Sequence, residues 1–406
     1  MTMADFTLTD TQAQVVETAR RFGREVLEPA EIALDRMADP NEAFRSGIFR
    51  ETMAAAFELG FHRMTIPQEY GGLGLDPATV GMVWEEFGRY GVGFAAALIA
   101  GSVVPGLICF LAPGNRNLID RYVVPFCEDT TGKRITAWGS SEPGIGSDGK
   151  NYEDLSIHHR TTATRTADGF ELNGTKSNFV SNGSIADNYV VFACLEPDKG
   201  LRGSGAFVVP GDAPGIFRGA AQDRVGMRSL NQAAVSFDGV RVPGDHMIFP
   251  PGDAYPFLHR SIMTVGNLGT GYLAVGLMRA AFEEALAYAR ERVQWGKPIA
   301  EHQLVSRKLF GIHAAIESTR ALLWKGSWHC AQNFPGDLKT SVTAKILATS
   351  LAVKHTSEMV QVLGGYGISR DYKLEKYMRD AVLLTIMDGT NDTLMLEVMG
   401  QFTRPH

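Results

Sequence analysis

The chain has few cysteines, no basic excess and no long unbroken apolar run, and each shortage removes a class of protein. Cys109, Cys127, Cys194 and Cys330 are the only cysteines among 406 residues. They are widely scattered, with no C-x-x-C pair and no histidine at metal-ligand spacing. That excludes a disulfide scaffold and the usual zinc sites. Buried thiols in a reducing compartment are the simplest reading, with the cytoplasm as the expected location. The sequons at Asn173, Asn182 and Asn391 are then chance matches. A formal net charge of −6 leaves no basic footprint, so nucleic acid is not an expected partner. The longest apolar runs, such as residues 92–100, fall short of a bilayer span, and the first ten residues lack a basic segment followed by an apolar one. Neither a membrane helix nor a signal peptide is expected. G-x-S-x-G, H-E-x-x-H and the G-x-x-x-x-G-K-[ST] phosphate loop are also missing, so a serine hydrolase, a zinc protease and a P-loop nucleotidase have no local support.

What remains is ordinary globular composition, 45% hydrophobic and 21% charged, on a chain long enough for two or three domains. The hydrophobic period changes twice. Residues 1–130 read as an N-terminal helical domain, with a cap at Thr9 or Asp10, a stripe of Val15, Ala19, Phe22 and Val26, and breaks at Pro29, Pro67, Gly71-Gly72 and Pro105. Residues 131–250 alternate with period two in YVVFACL, GAFVVP and AAVSFDGVRVP, which predicts a small antiparallel β domain. Within it the Asn173-Gly174 pair predicts a two-residue hairpin turn. Residues 251–406 return to helical spacing, through Val275, Met278, Phe282, Leu286 and Ala289, then Val305, Leu309, Ile312, Ile316 and Leu323. A further helix from about Ser341 to Leu363 stops at GGYG. The fold class is α+β in the order helical domain, β domain, helical bundle.

Two glycine-rich stretches stand out. SSEPGIGSDG (140–149) offers backbone that can approach a flat or anionic ligand closely. GNLGTGYLAVG (266–276) suggests a dinucleotide fingerprint, but its glycines are better explained by close helix packing. Near the C-terminus MDGTND places one acid, Asp388, before a Gly-Thr pair.

Taken in order, these segments resemble the acyl-CoA dehydrogenase family over essentially the whole chain. The matching stretches are SSEPGIGSD, LNGTKSNFVSNG, SFDGVRVP, ARERVQWGKPIAEHQ, QVLGGYGISRDYKLEKYMRDA and IMDGTND. The resemblance implies non-covalent FAD lying between the β domain and the C-terminal helices, in a site shared with a neighbouring subunit, and hence a homodimer or homotetramer. Ser141, Phe179 and Ser181 correspond to residues around the flavin ring, with a bulge expected where SNF follows Lys176. Arg292 and Trp295 correspond to the pair meeting the diphosphate and adenine of the adjacent subunit's flavin, with Gln361, Gly364 and Gly365 as that site's loop on the partner chain. Thr390 and Asp392 correspond to further adenosine contacts, and Ser147 and Arg260 to positions near the pantetheine and nucleotide of the thioester. No metal is implied.

Asp388 fills the place of the family's usual catalytic glutamate, and Gly389 beside it would present a backbone N–H to the enolate oxygen. Burial of that carboxylate is expected from the apolar run AVLLTIM before it. The acid is one methylene shorter than usual, and several accounts stay open. The substrate or backbone shifts to meet the short base in a true dehydrogenase of acyl-CoA or acyl-carrier-protein thioesters, served by an electron-transfer flavoprotein. Alternatively the base lies on the helix before Arg260, where this chain has His259. Otherwise the chain is a divergent flavoenzyme, since nitroalkane oxidases of the superfamily also use aspartate there, or a catalytically weak binder of flavin and acyl groups.

Overall fold

A computed structural model describes residues 7–403; part of the N-terminal segment read above for a signal peptide lies outside the described residues. Inter-residue contacts divide the chain into two compact units.

The first unit comprises the chain through Pro29, Leu75–Val92 and Thr264–Asp388. It is built from α1 (Asp10–Phe22), the first part of α2 (Pro77–Gly101), most of α3 (Tyr255–Glu291), α4 (Gln303–Gln332), α5 (Leu338–Leu363) and α6 (Leu374–Leu384). Thr9 caps α1 and forms a reciprocal capping box with Gln12, as a hydroxyl three residues before a Gln should. A π-turn at Gly23–Leu27 follows, so the buried face passes from Val16, Ala19 and Phe22 to Leu27, with Val26 left half-buried. The wide turn adds one residue to the helical period and displaces the stripe by one position. Along α3, Val275, Met278 and Ala289 are buried, as are Leu309, Ile312, Ile316 and Leu323 on α4. α5 stops at Gly364, whose N–H caps the carbonyls of Val360 and Gln361.

The glycines of 266–276 serve helix packing. A Cβ at Gly276 would stand 2.1 Å from the Glu85 carbonyl oxygen, and one at Gly88 2.5 Å from the Leu273 carbonyl oxygen. α2 and α3 therefore meet backbone to backbone. A buried ion cluster flanks the crossing: Arg279 Nη1 lies 2.8 Å from Glu85 and 3.0 Å from Glu86, and Arg320 Nη2 is 2.9 Å from Glu85. Burial pushes the Glu86 carboxyl up, but Arg279 and Arg20 outweigh it and hold the group below its ordinary range.

The second unit comprises Ala30–Gly74, Gly93–Met263 and the chain from Gly389 on. Its centre is a sheet of β1 (Thr136–Gly139), β2 (Thr162–Arg165), β3 (Gly169–Ser181), β4 (Asn188–Cys194), β5 (Ser204–Pro210), β6 (Ile216–Arg218), β7 (Gln232–Pro243) and β8 (Met247–Phe249). The order is β6-β7-β3-β2-β4-β5-β8, with β1 beside β4. Phe170, Leu172, Tyr189, Phe207, Val235 and Phe237 belong to the core on one face. The sheet is mostly antiparallel, but β1 runs parallel to β4, and β2 joins β4 through one parallel bridge. The chain leaves β1 through the long 140–161 loop instead of a hairpin, which frees the next strands to run in the same direction.

The hairpin expected at Asn173-Gly174 is not there. β3 runs straight through it, with a register shift between Leu172 and Gly174. Asn173 Oδ1 accepts from the Gly239 N–H at 2.7 Å, and a Cβ at Gly174 would fall 2.5 Å from Thr161 Cα. The pair accommodates a bulge and a close strand approach. The actual turn is at Ala167-Asp168, closed by the Thr166 N–H on the Gly169 carbonyl. The bulge expected after Lys176 is present: Lys176 pairs with Val235 and Val180 with Ala233, so four steps of β3 span two of β7.

One expectation about apolar length is corrected. Residues 77–111, through α2 and the following helix Val103–Leu111, include a window long and apolar enough to cross a membrane by length and composition, and half of that window is buried inside the protein. Counting unbroken runs missed it because small and aliphatic residues continue across the glycines. The cysteines are all free thiols, Cys109 half-buried and the others buried. Burial pushes Cys127 and Cys330 up to about 11, so these thiols stay protonated and inert. The final helix of this unit is α7 (Asn391–Thr403).

Candidate active site

In the first unit, the chain leaves α6 through turns at Thr385–Met387 and reaches Asp388 with φ +54°. Positive φ in a residue with a Cβ is uncommon and marks a position fixed by its surroundings. The Asp388 side chain is exposed and not buried as the apolar run before it suggested, because α6 ends at Leu384 and the turn carries the acid off the packed face. One oxygen is held: Thr270 Oγ1 on α3 donates to Asp388 Oδ2 at 2.8 Å. Beside it, a Cβ at Gly266 would stand 3.2 Å from Asp388 Oδ2. The α3 residues that meet the acid are therefore Gly266 and Thr270. His259, considered above as an alternative base, lies about two turns earlier on α3. Its Nδ1 is 2.6 Å from the Tyr152 hydroxyl, and burial holds its imidazole down to about 4, so it is neutral at neutral pH.

The same unit gathers another set of predicted residues around one surface hollow. Arg292, Trp295, Gln361, Gly364 and Gly365 all line a cavity of about 1170 Å³. Trp295 sits with Gly296 between β9 (Val293–Gln294) and β10 (Lys297–Pro298), both turn residues at positive φ. A tryptophan in that turn position is a backbone outlier, and it leaves the indole 95% exposed. The Arg292 side chain is exposed, and among the described residues its guanidinium has no carboxylate partner. Gly364 and Gly365 have open space where a Cβ would stand. A free guanidinium, bare backbone and an unpacked aromatic face suit an anionic, aromatic ligand such as a dinucleotide.

In the second unit, the 140–149 loop is anchored from beneath by Glu142. Its carboxylate accepts from the N–H groups of Arg160 at 2.6 Å and Thr161 at 3.0 Å, and from Lys176 Nζ at 2.6 Å. Lys176 also donates to the Phe192 carbonyl at 2.6 Å. Burial pushes the Glu142 carboxyl up, yet the ammonium and the backbone donors keep it below its ordinary range. This pair, which the sequence did not single out, leaves Ser141 and Ser147 exposed on the loop. Phe179 is 63% exposed, at the bulge between Lys176 and Val180. Gln232 Nε2 donates to both Ser181 Oγ and the Phe179 carbonyl at 3.3 Å.

Arg260 is engaged within its own unit, with Nε 2.9 Å from Glu397 on α7 and the guanidinium over the Tyr152 ring. Thr390 caps α7, its Oγ1 accepting from the Thr393 N–H at 3.3 Å, and Asp392 lies exposed in the first turn. Gly389 has φ +105°, a backbone conformation in which an L side chain would be strained, so this position favours glycine.

Three family descriptions match in sequence: acyl-CoA dehydrogenase N-terminal domain over 9–130, middle domain over 137–240 and C-terminal domain over 259–402. The chain belongs to the acyl-CoA dehydrogenase family. A short-chain specific acyl-CoA dehydrogenase of Megasphaera elsdenii is 31% identical over 98% of this chain and 100% of its own. The solved butyryl-CoA dehydrogenase of Megasphaera elsdenii, 30% identical, superposes with a TM-score of 0.87 over 99% of this chain and all of the other. The FAD complex of PigA, 26% identical, does so at 0.85 over 98% of this chain and 99% of the other. In this acyl-CoA dehydrogenase, the sequence alone does not single out Thr270 and Gly266 beside Asp388, nor, in the second unit, Glu142 and Lys176 beneath the 140–149 loop. The glycines of the stretch holding Gly266 and Thr270 point to helix packing, and a lone hydroxyl one turn beyond a glycine is its single further signal.

Proposed function

We propose that the chain catalyses FAD-dependent α,β-dehydrogenation of an acyl thioester, with Asp388 removing the α-proton. The observation that carries this is an exposed carboxylate at the family's glutamate position, on a left-handed turn, with one oxygen held by a hydroxyl and the other unbonded among the described residues. A positioned, ionised carboxylate with a free lone pair is what proton abstraction needs. Gly389 supplies its N–H to the developing enolate oxygen, where a fixed donor is worth most.

The residues present fit FAD. Arg292 and Trp295 meet the diphosphate and adenine of the adjacent subunit's flavin, with Gln361, Gly364 and Gly365 as that site's loop on the partner chain; Thr390 and Asp392 are further adenosine contacts, and Ser141, Phe179 and Ser181 lie around a flavin ring. Bound FAD supplies the acceptor for the β-hydride. Ser147 and Arg260 orient the pantetheine and nucleotide of coenzyme A, Arg260 by exchanging Glu397 for the ligand; an acyl carrier protein delivers the same arm. An electron-transfer flavoprotein takes the electrons onward. Segments 1–130, 131–250 and 251–406 are the functional domains of a cytoplasmic homodimer or homotetramer.

Anaerobic mixing with acyl-CoA thioesters tests this. Bleaching of a bound flavin, with Asp388→Asn slowing it on the order of a thousandfold while FAD stays bound, supports the assignment. No bleaching by any thioester would sink it. The second reading, favoured by the aspartate itself, is nitroalkane oxidation, and bleaching by nitroalkanes in place of thioesters would select it.

A further inference from the structure

We propose that Thr270 is the positioning residue for Asp388, and that Gly266 is the gap that seats the short acid. The inference rests on Asp388 being the base. Thr270 is buried, and its hydroxyl has two acceptors in reach, Asp388 Oδ2 at 2.8 Å and the Gly266 carbonyl at 3.1 Å. A hydroxyl carries one proton, so it donates to one of them at a time. An ionised carboxylate is the stronger acceptor and takes the bond while Asp388 is a base. When the α-proton moves from substrate carbon to the carboxylate, that advantage falls away, and the hydroxyl turns to the Gly266 carbonyl. Thr270 thus keeps a partner in both states, and neither leaves a buried donor unmade.

The geometry also accounts for the length of the acid. Because Gly266 has no Cβ, the carboxylate lies against the α3 surface within reach of Thr270. With a Cβ at 3.2 Å from Oδ2, the carboxylate would have to give by a few tenths of an ångström. An aspartate seated this way has fewer rotatable bonds than a glutamate, and one of its two oxygens is tied. The remaining oxygen then points in a fixed direction, which is the condition for a near-attack geometry.

The experiment uses the FAD-loaded protein and two readouts. One is the limiting rate of flavin reduction by an acyl-CoA, taken separately from the thioester's binding constant. The other is exchange of the α-protons of a 3-thia-acyl-CoA into deuterated solvent, followed by NMR, which reports proton abstraction with no hydride to transfer. Thr270→Val should slow both by about ten- to a hundredfold, the range for losing a hydrogen bond to a charged group, with thioester binding changed by less than about twofold. Thr270→Ser should return to within about threefold of the native rate. In an Asp388→Asn background Thr270→Val should add nothing, since coupled residues are not additive. A Thr270→Val protein that exchanges at the native rate, where Asp388→Asn does not exchange, overturns the role of Thr270. Native exchange by Asp388→Asn overturns the base assignment instead. If Thr270→Val fails to fold, Gly266→Ala decides: slowed exchange with unaltered binding supports the seat, and unchanged exchange overturns it.

Discussion

Asp388 occupies backbone that favours its own residue type. At φ +54° an L-residue is in the left-handed region, where aspartate and asparagine are several-fold enriched and longer side chains are less at ease. The short acid is therefore consistent with its turn as well as with the Thr270 seat. Asp388→Glu should lower the rate of flavin reduction by about tenfold or more, because its oxygens are carried past that seat by about an ångström. It should also lower the melting temperature slightly. Stopped-flow reduction and a thermal melt check both, and a faster enzyme would mean that the cavity was not built around aspartate. Asp388 could be singled out as a candidate in the sequence because its neighbours Gly389 and Thr390 are local. Thr270 was not, because a threonine in a glycine-rich helix carries no mark of the acid it meets 118 residues later.

Among the elements, the strands were legible by their alternation and the long helices by their stripes. What the sequence hid was the use of individual turn signals. Asn173-Gly174 has the composition of a hairpin turn, yet it relieves the approach of β2 to β3 and gives Gly239 an acceptor, because tertiary contacts override a local preference. The ion cluster at the α2–α3 crossing was equally hidden, since Glu85, Glu86, Arg279 and Arg320 look like surface charge one at a time. Arg279→Met should destabilise the protein by about 3 kcal/mol, because it leaves Glu85 and Glu86 buried without their shared cation. Equilibrium urea unfolding measures it. The held-down Glu86 carboxyl gives this term a pH sign: its stabilisation is present above the ordinary carboxylate value of 4.5 and is lost as pH falls through its lower folded value. The gap between native and Arg279→Met protein should therefore narrow in acid.

At the scale of the molecule, the motif order was legible because it is written along the chain. The contact units were not, since each collects segments far apart in sequence. Acid sensitivity is a property of this larger scale. His62 lies stacked on Phe57 with ring centroids 4.0 Å apart, and Phe126 stands edge-on at 5.1 Å. Burial holds its imidazole down from 6.5 to about 4. The unfolded chain takes up this proton first, so the contribution is complete above 6.5 and is lost as pH falls toward 4. Between pH 7 and pH 4.5 the loss is on the order of 2–3 kcal/mol. His62→Leu should remove that share of the acid dependence, as read by urea midpoints at the two pH values, and an unchanged slope would show that the ring titrates alike in the folded and unfolded chain.

The contact of α2 with α3 through Gly88 and Gly276 also has a meaning for inheritance. A glycine codon one base away from itself encodes another glycine, a stop, or a residue with a Cβ. At these two positions any such side chain would enter the other helix's backbone, and backbone has no rotamer with which to yield. Nearly all of the missense changes that chance can bring to those codons are thus closed to the lineage, while the exposed helix faces around them are free to drift.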